Sequence, residues 1–344
     1  MTTIFDDLKS PSIWRECWDL FRGRELGCLQ VEISSYCTGK CVYCPHTVYS
    51  DNWNSRHMQP GTFANLWPIL CRASRVHLQG WGEPFLHPNF MDFAKLALRG
   101  GCQVSTTTSG LYMDETLALE LVDSGIDIIA FSLAGTSAAS NDKNRDGVPF
   151  DQVAHAVQLL QATRKTRKAV HLEIHLAYLL LASDLDALWR LPELMDEWGV
   201  HETIISTLDY IPSHQLLSQA FLPHERDKIK AAQAVIDEIT LKARTAGREI
   251  YASLPEHKPA PQCREEAQKN LYVDADGVIS PCVLLNVPAC GENSSKKTFG
   301  SVNREDPLSI WGKDEYRTFR NALDTPVPDR VCEGCIKRFE KPFS

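Results

Sequence analysis

The chain has 344 residues, with 36 Lys and Arg against 44 Asp and Glu, a formal net charge of −8, and 43% hydrophobic and 23% charged residues. This is ordinary globular composition, and a negative balance without long runs of one sign argues against a general nucleic-acid or membrane-surface binder. The opening MTTIFDDLKSPSIW has no apolar signal core, the longest apolar run (176–182) is too short to span a bilayer, and twelve cysteines then point to metal ligation in a reducing cytoplasm rather than to disulfides.

Taken in order, residues 1–27 read as a peripheral helical lead-in with Trp14, Trp18 and Phe21 on one face. Residues 29–34 read as a first strand, and a cysteine-bearing loop follows it directly. Residues 63–73 read as a helix in which Pro68 is an irregularity. Strands and helices then alternate: strands at 76–79, 102–106, 127–133, 170–180 and 203–208, and helices at 90–98, 114–123, 151–163, 185–198 and 224–246. Gly125 and Gly199 close two of these helices. Six such units predict right-handed crossovers and a parallel sheet, with functional residues at the C-terminal strand ends. After about Ser253 the rhythm stops. LPEHKPAPQC reads as a proline-rich linker, and short strand-like pieces follow at 271–273 and 277–279. The expected division is therefore 1–27, 28–253 and 254–344.

The loop after the first strand holds Cys37, Cys41 and Cys44 in a Cys-x3-Cys-x2-Cys run. Three thiolates this close suit a soft metal, and as ligands of a four-iron cluster they leave one iron open. A structural zinc site completed by His46 is the competing reading. The second strand runs into Gly80-Trp81-Gly82-Glu83-Pro84, where glycines permit a close backbone approach. The third runs into Thr106-Thr107-Thr108-Ser109-Gly110, whose hydroxyls can bond a ligand or cap the next turn. The fourth runs into Ser132-Leu133-Ala134-Gly135, with Arg145 further on as a bidentate carboxylate clamp or a solvated loop residue. His171, Glu173 and His175 alternate along the fifth strand on one face, as substrate contacts or as satisfied interior polar groups. A second cysteine set comprises Cys263, then thirteen residues, Gly277, four residues, Cys282, and much later Cys332 and Cys335. A four-cysteine zinc knuckle is the alternative there, although its spacing is long for one. Cys290 is a spare thiol, and Cys17, Cys28, Cys71 and Cys102 read as ordinary buried cysteines.

These motifs together resemble the radical S-adenosylmethionine (SAM) superfamily, and the C-terminal cysteines resemble its SPASM/twitch-type modules. The resemblance implies an open (β/α)6 partial barrel followed by a small iron–sulfur domain. It implies that Cys37, Cys41 and Cys44 hold a catalytic [4Fe–4S] cluster whose open iron chelates SAM, and that the reduced cluster cleaves SAM to a 5′-deoxyadenosyl radical. Tyr43 matches the position whose backbone touches adenine. Gly82 and Glu83 match the motif for the SAM amino group, with Trp81 in place of the commoner Gly. Thr107, Ser109, Ser132 and Arg145 match contacts to the SAM carboxylate or ribose, with Ala134 replacing an Asp. Cys263, Cys282, Cys332 and Cys335 resemble the shorter twitch form with one auxiliary [4Fe–4S] cluster, as in the aminocyclitol dehydrogenase branch. The expected function is hydrogen abstraction from a small polar metabolite with net oxidation, supplied with electrons by a flavodoxin or ferredoxin. Maturation of a ribosomally made peptide is the first alternative. Epimerisation with Cys290 as hydrogen donor is a second, and a zinc-stapled binding protein is the non-enzymatic one.

Overall fold

The computed structural model describes residues 5, 8, 24–259, 262–289, 296–325 and 327–340. The expected lead-in helix with Trp14, Trp18 and Phe21 lies outside these residues, as do Cys17 and Cys290. Seven strands run parallel in chain order: β1 (Leu26–Val31), β2 (Ala73–His77), β3 (Gln103–Thr108), β4 (Ile128–Leu133), β5 (Glu173–Leu180), β6 (Glu202–Thr207) and β7 (Glu249–Ala252). Each of the first six matches an expected strand within a few residues. β7 was not expected: it is only EIYA, directly before the proline-rich stretch.

The crossover helices are α1 (Phe90–Arg99), α2 (Glu115–Ser124), α3 (Phe150–Arg167), α4 (Leu191–Glu197) and α5 (Arg226–Thr245). Their apolar faces explain their docking. α1 buries Phe90, Phe93, Ala94, Leu96 and Ala97, and Phe93 stacks on Phe63 with ring centroids 4.2 Å apart. Asp114 caps α2 by accepting from the Leu117 N–H, and Gly125, at φ 88°, ends it in the left-handed region. Two expected helices break at prolines. The 63–73 stretch divides into Pro60–Ala64 and Trp67–Leu70, with Pro68 in the first turn of the second piece. The 185–198 stretch begins as 3-10 turns over Ala182–Arg190, and α4 restarts with Pro192 in its first turn. A proline lacks the N–H that an uninterrupted helix needs, so each restart places it where no bond is lost. Among the described residues no helix is long and apolar enough to cross a membrane.

The sheet does not stop at the expected domain boundary. β8 (Leu271–Val273) pairs in parallel with the outer edge of β1, with Leu29 opposite Leu271, and β9 (Val278–Ser280) and β10 (Gly300–Ser301) continue outward as antiparallel strands. The Asn270 side chain accepts from the Cys28 N–H at 2.7 Å, next to Gly27, where a Cβ would strike it. The sheet also curls. Residues from β1, β4, β5 and β6 and from the turn after β2 line one cavity toward the C-terminal ends of the strands, which a flat sheet could not arrange. The curl brings the end of β6 against the C-terminal segment. Lys337 Nζ lies 2.6 Å from Asp209, 3.4 Å from Glu340 and 3.6 Å from Glu265, and Arg264 pairs with Glu340 at 2.7 Å. Buried charges of this kind are tolerated only while paired.

Lys337→Met leaves Asp209 and Glu340 without their ammonium. Removing one member of such a buried group costs about 3–5 kcal/mol. The expected outcome is a clearly lower urea midpoint, largely restored in Lys337→Arg; an unchanged midpoint in Lys337→Met would contradict this account of how the module docks.

Candidate active site

The three-cysteine loop leaves the C-terminal end of β1. Its path is fixed by a two-residue ladder in which Lys40 and Cys41 pair with Asp146 and Arg145. The Cys44 N–H donates to the Cys41 carbonyl at 3.0 Å, and Cys44 precedes a short helix begun by Pro45. The Cys37 and Cys41 thiols flank Gly39, 3.6 and 3.9 Å from where its Cβ would sit. Burial pushes the Cys37 thiol up to about 11 and Cys44 up to about 12, so neither ionises unaided near neutrality. A bound metal centre supplies the positive charge that makes thiolates of them.

Gly82 and Glu83 pack directly on this loop. A Cβ on Gly82 would lie 2.4 Å from the Ser34 carbonyl oxygen and 2.6 Å from that of Tyr36. The glycine is therefore required by the chain's own backbone. The Glu83 N–H donates to the Tyr36 carbonyl at 2.7 Å. Its carboxylate is 3% exposed and accepts four hydrogen bonds. Oε1 takes Thr108 Oγ1 at 2.7 Å and the Phe85 N–H at 3.2 Å; Oε2 takes the Ser109 N–H at 2.8 Å and Ser109 Oγ at 2.6 Å. Those bonds fill the acceptor sites of a carboxylate, so Glu83 ties the end of β2 to the end of β3. Ser109 thus belongs to the cluster side of the site, while Thr107 faces the barrel interior, 3.5 Å from His77 Nε2. Thr108, which motif reading passed over, makes the tie that Thr107 does not.

Arg145 is 3% exposed; its guanidinium donates to the Ser132 carbonyl and stands beside Cys41 and Tyr43. Its Nε has no hydrogen-bond partner among the described residues. A buried donor left over beside three thiols fits an anionic ligand group bound there. Tyr43, Cys44 and Ser132 share a cavity of about 340 Å³ with Gln30, Gln79, Trp81, Asp209, Tyr210, Val283 and Leu284. Trp81, the departure from the commoner Gly, crosses this cavity: its Nε1–H donates to the Val283 carbonyl at 3.3 Å, and its ring meets Tyr210 edge-on at 5.6 Å. Asp209 and Tyr210 went unnoticed in the sequence, although their position just past the sixth strand was the available signal.

Cys263, Cys282, Cys332 and Cys335 converge on one cavity in the C-terminal module, walled by Leu285, Phe319 and Leu323. Burial raises all four thiols, Cys263 and Cys332 to about 12. Among the described residues, the only three His, Cys or acidic groups with ligand atoms all within 4.8 Å of one another are Glu173, His175 and Glu202. Both cysteine sets are thus spread wider than the roughly 3.8 Å between sulfurs that a tetrahedral zinc with about 2.3 Å bonds imposes. That spacing suits iron–sulfur clusters instead. His46, the proposed fourth zinc ligand, turns its ring onto Trp53 at 5.1 Å.

Glu173 and His175 require a correction. They begin β5, at the end of the barrel opposite the cysteine loop, where His175 Nε2 pairs with Glu173 at 2.9 Å and lies 3.9 Å from Glu202. His171 precedes the strand. The alternation was read properly, but on a parallel strand only the C-terminal residues reach the mouth, and Ala177 and Leu179 are the ones that line the cavity.

Gly82→Val should raise the dissociation constant for SAM at least about tenfold, equivalent to about 1.4 kcal/mol, and lower iron loading at the first cluster. Gly61→Ala, where a Cβ meets nothing within 4 Å, should change neither. Equilibrium dialysis and iron analysis of the two variants check this.

Comparison with known proteins agrees with the geometry. Residues 31–176 match the family model described as the radical SAM superfamily, and residues 263–336 match that of the SPASM iron–sulfur cluster-binding domain. The tungsten-containing aldehyde ferredoxin oxidoreductase cofactor-modifying protein of Pyrococcus furiosus is 22% identical over 312 residues, spanning 85% of this chain and 82% of that protein. PqqA peptide cyclase of Granulibacter bethesdensis is 23% identical over 75% of this chain and 66% of its own length. The structure of Streptococcus suis SuiB bound to S-adenosylmethionine superposes with a TM-score of 0.67 at 14% identity, covering 91% of this chain and 71% of that one. Two cysteine centres joined by one curled sheet are accounted for in this way: the chain carries a radical SAM domain over residues 31–176 and a C-terminal SPASM iron–sulfur domain over residues 263–336.

Proposed function

We propose that the protein removes hydrogen from a small polar metabolite held between two iron–sulfur clusters, in a net two-electron oxidation. The observation that supports this most is the shared cavity. One wall is formed by Tyr43, Cys44 and Ser132, and the other by Val283 and Leu284, which directly follow Cys282. Cys37, Cys41 and Cys44 would hold a cluster that with SAM would supply hydrogen-abstraction chemistry, and Cys263, Cys282, Cys332 and Cys335 would hold an auxiliary cluster that would supply an electron acceptor. An external flavodoxin or ferredoxin supplies the starting electron.

The chain's own residues do the rest. Arg145 holds an anionic group of SAM beside Cys41. Tyr43 and Ser132 line the cavity that would receive the substrate. Asp209, fixed by Lys337 at 2.6 Å, is the carboxylate within the cavity placed to hold the departing proton. Trp81 and Tyr210 exclude water from the mouth. A peptide substrate is the second reading. It is favoured by the peptide cyclase named among the relatives, and the two readings make different products.

Anaerobically reconstituted protein should hold about eight irons, and the Cys37, Cys41 and Cys44 triple Ala variant about half of that. With a strong reductant the wild type should release methionine and 5′-deoxyadenosine, and Cys41→Ala neither. Offered polyols and aminocyclitols in one series and short peptides in another, the enzyme should form 5′-deoxyadenosine faster, together with a carbonyl product, in the first series. Stimulation by peptides alone would overturn the small-metabolite reading and leave the radical chemistry standing.

A further inference from the structure

Glu32 is fully buried, five residues before the first cluster cysteine. Its backbone N–H donates to the Val273 carbonyl at 2.9 Å, so it sits where β1 meets β8. Its Oε1 accepts the Trp81 N–H at 2.8 Å. A Cβ on Gly80 would lie 2.4 Å from the Glu32 Cβ and 2.7 Å from Oε1, so the turn lies flat on this side chain. From the other side Gln30 Nε2 donates to the Gln79 carbonyl at 3.0 Å. The Tyr272 hydroxyl, from β8, lies near the Glu32 carboxyl, and neither it nor Oε2 has a hydrogen-bond partner among the described residues.

We propose that Glu32 is a positioning residue of the SAM site, which shapes the Gly80–Glu83 turn through Trp81 and joins that turn to the auxiliary-cluster module through Tyr272. The inference rests on the reading that this turn serves SAM. A fully buried carboxyl whose one hydrogen bond comes from a backbone N–H holds its place best as a neutral acid. Its carbonyl oxygen then accepts from Trp81 and its O–H is turned toward the nearby Tyr272 hydroxyl. The electrostatics agree. Burial pushes Glu32 up to about 8, with the Trp81 N–H opposing, nearby Asp274 adding to the rise, and Tyr272 and Arg56 lowering it. Asp274 is itself committed to Asn286 at 2.9 Å and to the turn N–H groups of Asp276 and Val278, and Arg56 pairs with Asp276. Ionisation therefore places an uncompensated charge beneath the turn.

Two pH signatures follow. SAM affinity should fall as pH rises through about 8, where Glu32 ionises in the folded protein. Stability follows a different window. The folded-state value lies above the ordinary 4.5, so the contribution of Glu32 is fully present below 4.5 and is lost as pH rises to about 8. A glutamine keeps the bond from the Trp81 N–H and titrates at neither step.

The experiment uses cluster-reconstituted protein with SAM as the probe, by equilibrium dialysis from pH 6.5 to 9. Glu32→Gln should bind SAM as tightly as wild type at pH 7 and keep its affinity above pH 8, where the wild type weakens. Any titration of SAM itself is common to both proteins. The unfolding midpoint of Glu32→Gln should exceed that of wild type by an amount that grows between pH 5 and pH 8. Glu32→Ala should bind SAM about tenfold more weakly, with both clusters loaded. Should Glu32→Ala fail to fold, the Gln and wild-type profiles decide alone. Identical pH profiles in wild type and Glu32→Gln, or unweakened binding in a folded Glu32→Ala, would overturn the proposal. Absence of SAM binding in the wild type would instead overturn the reading it rests on.

Discussion

Everything at the mouth of the barrel depends on one contact made without a side chain. Gly82 lies against the Ser34 and Tyr36 carbonyls so closely that no other residue fits. The strands would hold their register without it, but the cysteine loop and the β2 turn would part. Because the two backbones touch, Glu83 reaches both Tyr36 and the end of β3, and two of its four carboxylate hydrogen bonds fix Ser109. On the far side the Cys41–Arg145 ladder pair brings the guanidinium to Ser132. The cluster loop is therefore clamped by β2, β3 and the β4 loop together. Such over-determination suits a site whose ligands must stay put while the charge on the bound group changes.

The second cysteine centre is tied to the first by different physics. Hydrogen bonds of the β1–β8 ladder join the sheet, but the opposite seam is electrostatic, with Lys337 and Arg264 among Asp209, Glu265 and Glu340. Lys337, Arg264 and Glu340 are buried there and Asp209 and Glu265 partly so, which makes the buried charges costly alone and useful only in company. The cavity opens along this seam. A molecule bound in it would touch the SAM half through Ser132 and the auxiliary half through Leu284, with Trp81 belonging to both.

Much of this was legible in the sequence because spacing is chemistry. Cys37, Cys41 and Cys44 announce a three-ligand loop, and the βα rhythm places it at a strand's C-terminal end. What spacing does not encode is direction along a strand and competition for a lone pair. Glu173 and His175 share a face with cavity residues yet open at the wrong end. Thr107 faces the barrel interior, while the pleat turns its neighbour Thr108 toward Glu83. β7 was hidden by its brevity. The break at Pro192 was visible as a residue but not as a restart. Glu32 gave no signal at all, because its partners Trp81 and Tyr272 lie far away in sequence.

The β1–β8 pairing also has a kinetic side. β1 is the first strand of the sheet to be made, and β8 begins only at Leu271. The Cys28–Asn270 bond closes a loop of 242 residues. Contacts that distant are slow to form, because loop-closure entropy precedes any gain from pairing. During synthesis, then, the strand that leads into the cysteine loop has an open hydrogen-bonding edge until β8 has been made. An edge of that kind is a site of mispairing, and here it lies next to three oxidisable thiols. Timing, as much as affinity, thus bears on when a metal centre can be housed: the second module is the late-arriving cover for the first.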